Sequence, residues 1–156
     1  MKKALVFFIF LLINFGGLYL GGILMGGSPG GNTWYINLEK APWTPPGYVF
    51  GIAWTCIMIL FSIYCTLSIS AILNSRKIQG LFLLQWVLNI AWNPIFFNFH
   101  FVIIGLILLL FLFSTLLIIN KHLVHEKKSA RFLLIAPYLL WLCIAISLNA
   151  YVVFAN

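Results

Sequence analysis

Charge is scarce in this chain: 7% of its 156 residues are Asp, Glu, Lys or Arg, against about 25% in a soluble domain. Only two residues are acidic, and 63% are hydrophobic. Such a chain cannot clothe a globular surface and reads as an integral membrane protein. Apart from Arg131 at the margin of the last apolar run, no Asp, Glu, Lys, Arg or His falls inside the five long apolar runs. Proton relays, ion-coupled carriers and voltage sensors need ionisable groups at depth, so this absence disfavours them. Cysteine is also sparse. Cys56 and Cys65 lie on one predicted helix, about 13 Å apart by helical rise and too far to bridge. With Cys143 in another apolar run, neither a disulfide framework nor a metal cluster is expected. An acid–base pair, a Ser/His/Asp set and a phosphate-cradling glycine loop are all missing, so there is no conventional catalytic site. His122, His125 and Glu126 sit in a charged hairpin without further ligands, and His100 stands alone in a turn. All are read as solvated residues with no special role, which leaves no histidine at depth to ligate a haem iron.

What is present is apolar length. The runs predict an all-α integral membrane protein, a single five-helix bundle over 1–156 with spans of about 4–26, 45–73, 78–97, 101–119 and 130–154. The net charge of +7 does not mark a nucleic-acid surface. Eight of the nine basic residues lie in short gaps: Lys2, Lys3, Arg76, Lys77, Lys121, Lys127, Lys128 and Arg131. That is positive-inside placement, which puts the amino terminus inside and the carboxyl terminus and the 27–44 loop outside. Thr44-Pro45-Pro46 is read as the start of the second helix. The turn at 98–100 makes the third and fourth spans antiparallel neighbours, and the fourth, nearly pure Leu, Ile and Phe, reads as mostly lipid-facing.

Three spans carry more than grease. In the third, Gln85, Asn89 and Asn93 recur every four residues with Trp92 beside them, ahead of Pro94. Lipid offers amides no partner, so this face should look into protein or a cavity. The second span has Trp54, Met58, Phe61 and Cys65 on one stripe, and the fifth has Tyr138, Trp141, Ala145 and Asn149. Two readings stay open: a pocket for a large, flat, mostly apolar ligand, or tryptophans filling space while amides hold helices together. The glycine pairs of the first span, including Gly17/Gly21, fit close helix packing or a flat cavity wall. The loop residues Trp34, Tyr35, Pro42 and Trp43 fit an interfacial belt or a structured lid.

The motifs Trp34-Tyr35-x-x-Leu38-x-Lys40, Trp43-x-Pro45-Pro46 with Trp54, Gln85-x-x-x-Asn89-x-x-Trp92-x-Pro94-x-Phe96-Phe97 and Pro137-Tyr138-x-x-Trp141-x-x-x-Ala145-x-x-Leu148-Asn149 resemble the translocator protein family. Its bacterial members are the tryptophan-rich sensory proteins (TspO/MBR). The resemblance spans essentially the whole chain. It implies a five-helix bundle in the cell membrane, usually a homodimer amid membrane lipids, with a pocket beneath the first loop. The implied ligands are tetrapyrroles such as protoporphyrin IX, together with isoquinoline carboxamide and benzodiazepine compounds. Carried over by motif, Trp54, Met58, Gln85, Asn89, Trp92, Tyr138, Trp141, Ala145 and Leu148 line that pocket, and Trp34, Tyr35, Pro42 and Trp43 form the lid.

The resemblance also implies slow, light-dependent oxidation of bound porphyrin, with Trp54 and Trp141 as the residues concerned and no required cofactor or metal. A transporter of porphyrin, haem or other apolar molecules, or a lipid-handling scaffold, is the alternative. Three positions depart from the family pattern. Lys40-Ala41-Pro42 stands where many members have Lys-Pro, and Met58 replaces a frequent tyrosine. The stretch after Tyr151 lacks the basic residue of the animal sterol pattern, so sterol binding is not implied.

Overall fold

A computed structural model describes residues 2–123 and 128–156, the side chains of 128–130 excepted. The hairpin residues His125 and Glu126 lie outside the described residues. Among the described residues five helices are long and apolar enough to cross a membrane: α1 (Lys3–Leu24), α3 (Gly47–Leu67), α5 (Arg76–Phe97), α6 (Val102–Leu123) and α7 (Lys128–Ala155). Two short helices join them, α2 (Thr33–Asn37) within the long connection and α4 (Ile69–Leu73) after α3. The chain is an integral membrane protein of the all-α class.

The long helices pack as a ring in the spatial order α1–α3–α7–α6–α5, each against two neighbours. The 25–46 connection docks at one end of the ring, the upper end, against the α5–α6 turn and the last turns of α7. Arg76, Lys77, Lys121, His122 and Arg131 lie towards the other.

Several boundaries differ from the sequence reading for local reasons. The second span begins at Gly47, not at about Pro45, because Pro46 holds Pro45 in extended backbone and is itself extended at φ −55°, ψ 147°. It also breaks at Ser68 (φ −106°, ψ 5°) before α4 resumes. The fourth span extends to Leu123, and its Leu109, Leu112, Leu116 and Ile119 are buried between α5 and α7. Seven of its 22 residues are buried and the others are exposed or half-buried, in keeping with a mostly lipid-facing helix.

Pro94 is accommodated in the last turn of α5. It donates nothing to Ile90, and the Asn93 side-chain amide lies 3.0 Å from the Asn89 carbonyl and 3.5 Å from that of Ile90.

Two of the four glycines of α1, Gly17 and Gly21, are used for close packing. A Cβ at Gly17 would sit 2.7 Å from Trp86 Nε1, and one at Gly21 would sit 2.7 Å from Asn93 Nδ2. Trp86 donates its indole N–H across the seam to the Ile13 carbonyl at 3.0 Å. A helix carbonyl is shielded by the side chains one turn on, so glycine at 17 leaves Ile13 uncovered. Gly17→Ala is therefore expected to cost about 1–3 kcal/mol by overpacking. Gly16→Ala, with nothing within 4 Å of the new methyl, should be neutral or slightly stabilising. Reversible unfolding in mixed micelles compares them, and equal stability of the two variants would refute the packing role.

Candidate functional site

Between α3, α5 and α7 the ring interior is aromatic. Phe61 lies at its centre, 1% exposed, with its ring 5.4 Å from Tyr138 and 5.8 Å from Phe82. Trp54 stands edge-on to Tyr138 at 5.7 Å, and Phe50 edge-on to Trp141 at 5.2 Å. Met58 is buried in the same cluster, and Trp92 and Ala145 pack against it. Two polar bridges cross the interior from α5 to α7. Tyr138 donates its hydroxyl to Gln85 Oε1 at 3.4 Å, a long bond, and Trp92 donates its indole N–H to Asn149 Oδ1 at 3.2 Å.

The amide face of the third span divides. Steps of four residues turn about 400°, so each successive amide drifts about 40° around the helix. Gln85 and Trp92, seven residues apart, stay aligned and face α7, whereas Asn93 has rotated onto Gly21 of α1. Asn89 lies between them, half-buried. Asn93 thus belongs to the α1–α5 seam, a correction to the single-wall reading.

The 25–46 connection is folded and docked. Asn32 caps α2 by accepting from the Tyr35 amide at 2.9 Å, and its own NH₂ donates to the Phe97 carbonyl at 3.0 Å. Trp34 stacks on His100 at 4.1 Å and meets Phe96 edge-on at 5.5 Å, while Tyr35 leans on Phe97 at 5.1 Å. Burial pushes the Tyr35 phenol above its ordinary pKa, so it stays neutral. Trp43 donates to Ser147 Oγ at 3.2 Å and meets Tyr151 edge-on, and both it and Pro42 remain exposed. Leu38 joins Trp34 and Tyr35 against Met25, Phe96, Phe97 and Val152. Trp92 packs against both this upper cluster and the interior one.

The interior thus presents aromatic faces and a few directed polar groups, and Met58, Phe61 and Tyr138 fill its centre. Among the described residues no three His, Cys, Asp or Glu side chains converge as metal ligands would. Residues 8–155 match the profile of the TspO/MBR family. The chain belongs to the TspO/MBR family. It is 31% identical over 154 residues to the tryptophan-rich protein TspO of Bacillus cereus, covering 96% of this chain and 94% of that protein. The TspO of Archaeoglobus fulgidus is also 31% identical, over 118 residues that cover 75% of this chain and 76% of that protein. The human translocator protein is 28% identical over 143 residues, covering 85% and 79%.

Within this TspO/MBR chain the structure brings Trp54, Met58, Gln85, Tyr138 and Trp141 to the interior, and Ala145 to its edge. Leu148 is half-buried on α7. Several residues escaped the sequence reading. Asn14 is buried and donates to Ser62 Oγ at 2.9 Å, which donates in turn to the Met58 carbonyl at 2.7 Å. Its signal was available, as the sole amide of the first apolar run. His100, read as without a role, is a correction: at φ 58° it turns the chain between α5 and α6 and presents its ring to Trp34. Phe50 and Gly105 gave no signal, because in an apolar run neither stands out from its neighbours.

Proposed function

We propose that this protein is a membrane receptor for flat, largely apolar ligands of the tetrapyrrole class. Protoporphyrin IX would bind between α3, α5 and α7 beneath the 25–46 connection. The observation that carries the reading is the convergence of Trp54, Trp92, Trp141, Tyr138 and Phe50 around one interior that also holds Gln85 and Asn149. Tetrapyrroles offer wide π faces, and stacked aromatics with a few fixed polar groups are the matching surface. Isoquinoline carboxamide and benzodiazepine compounds, also flat and apolar, would occupy the same chamber. Met58, Phe61 and Tyr138 fill its centre, so binding repacks them. Membership of the TspO/MBR family and kinship with translocator proteins support the reading.

Any turnover would be photochemical. The bound pigment absorbs the light and dioxygen is the oxidant, while Trp54 and Trp141 position the ring or pass electrons. No resident cofactor is required. The positive-inside pattern supports an orientation with the basic end in the cytoplasm and the 25–46 connection outside. The working form is taken to be a homodimer in the lipid bilayer.

Titration with protoporphyrin IX in the dark, read by tryptophan quenching and the porphyrin band, tests the binding. Saturable binding is the expected result. Illumination in air should then bleach the band, more slowly in Trp54→Phe or Trp141→Phe. Saturable binding without bleaching removes the photochemistry. Porphyrin flux across liposomes in the dark would favour a transporter instead, and no saturable binding removes the ligand.

A further inference from the structure

We propose that Gly105 and Asn149 are positioning residues that fix Trp92 as an apolar platform, so that this wall recognises ligand by its π face and not by its indole N–H. The inference rests on the proposed binding of flat ligands and assigns α6 a part in the site.

Trp92 Nε1 donates to Asn149 Oδ1 at 3.2 Å, and the same Asn149 donates its NH₂ to the Val102 carbonyl in the first turn of α6 at 2.8 Å. Both ends of the amide are thereby engaged, and Asn149 is 2% exposed. The relay fits because residue 105 is glycine. A Cβ there would lie 3.1 Å from Asn149 Oδ1, 3.4 Å from Phe96 Cδ2 and 3.5 Å from Trp92 Nε1. Residue 105 is also one turn beyond Val102, so its missing side chain uncovers the carbonyl that Asn149 uses. Glycine at 17 uncovers Ile13 for Trp86 in the same way.

The consequence for Trp92 is geometric. Its N–H points to α7 and is spent, and Phe96 stacks on the ring at 5.2 Å and 18°. The indole is shared between the upper cluster, where Phe97 meets it edge-on at 5.6 Å, and the interior cluster, against which it also packs. A ligand in that interior meets carbon and π density, so flat aromatic ligands gain and hydrogen-bond acceptors do not.

The test uses the full chain in lipid nanodiscs with ¹⁵N-labelled tryptophan. The Trp92 indole N–H resonance is assigned by its loss in Trp92→Phe. Gly105→Ala is expected to shift that resonance, speed its exchange with solvent, and weaken dark binding of protoporphyrin IX roughly tenfold, as coupled contacts of this kind do. Asn149→Ala adds no atom and should produce the same changes if the glycine variant folds poorly. Acting through Trp92 predicts that Trp92→Phe/Gly105→Ala binds no more weakly than Trp92→Phe alone. An unmoved resonance with unchanged affinity, or effects that multiply in the double variant, would overturn the proposal. A lowered unfolding midpoint with resonance and affinity both unchanged would do the same, since it would make the role merely structural. If the parent protein shows no saturable binding, the receptor reading falls. The resonance and its exchange then still decide whether Gly105 and Asn149 position Trp92.

Discussion

Phe61→Ala should cost the folded protein roughly 3–5 kcal/mol, the range for truncation of a buried phenylalanine. Its ring lies 5.4 Å from Tyr138, 5.8 Å from Phe82 and 5.9 Å from Tyr64, at 1% exposure. Burial against protein gains little transfer energy in a membrane, because lipid tails are as apolar as the interior. What the ring supplies is dispersion contact with its own helix and with α5 and α7, and a void at its position has no partner atoms on one side. Leu12→Ala provides the contrast. Leu12 is 75% exposed on α1, and its loss should change stability by no more than about 0.5 kcal/mol. Reversible unfolding in SDS-containing micelles measures both. Equal stabilities would mean that the interior is held by its polar bridges and not by aromatic packing.

Trp34→Ala should undock the 25–46 connection. The indole provides a stacked contact to His100 and an edge contact to Phe96, and aromatic pairs contribute about 0.5–1.5 kcal/mol each beyond their burial. Losing both is enough to change the docked fraction by roughly tenfold to a hundredfold. Amide hydrogen exchange across 29–40 should accelerate by that factor, while exchange within α3 and α7 stays as it was. If the connection covers the bound ligand, protoporphyrin IX should dissociate faster by a similar factor, with little change in its association rate. Unchanged exchange would assign the docking to Asn32 and Trp43. Accelerated exchange with unchanged dissociation would show that the connection does not cover the ligand.

Much of the fold was legible in the residues themselves. Five apolar runs long enough to cross a bilayer give five helices because every backbone polar group must be satisfied within the segment. The turn at 98–100 forced α5 and α6 together for want of length. The stripes on α3, α5 and α7 did mark one interior, since Trp54, Gln85, Trp92, Tyr138, Trp141 and Asn149 all look into it. Less legible were positions whose role depends on what lies opposite. Asn93 reads like Gln85 in the sequence, yet accumulated helical drift turns it onto α1. His100 reads as a solitary turn residue until α2 brings Trp34 over it.

Hydrophobicity and charge placement, both properties of single segments, therefore determined that the chain inserts and how often it crosses. They could not determine the order α1–α3–α7–α6–α5 around the ring, because lipid and protein interior are equally apolar and a leucine face does not announce its partner. Tertiary structure decided that order through short-range contacts that exist only once two helices touch: Trp86 over Gly17, Asn93 over Gly21, and Asn149 beside Gly105. Close approach and directed hydrogen bonds distinguish one neighbour from another where hydrophobicity cannot.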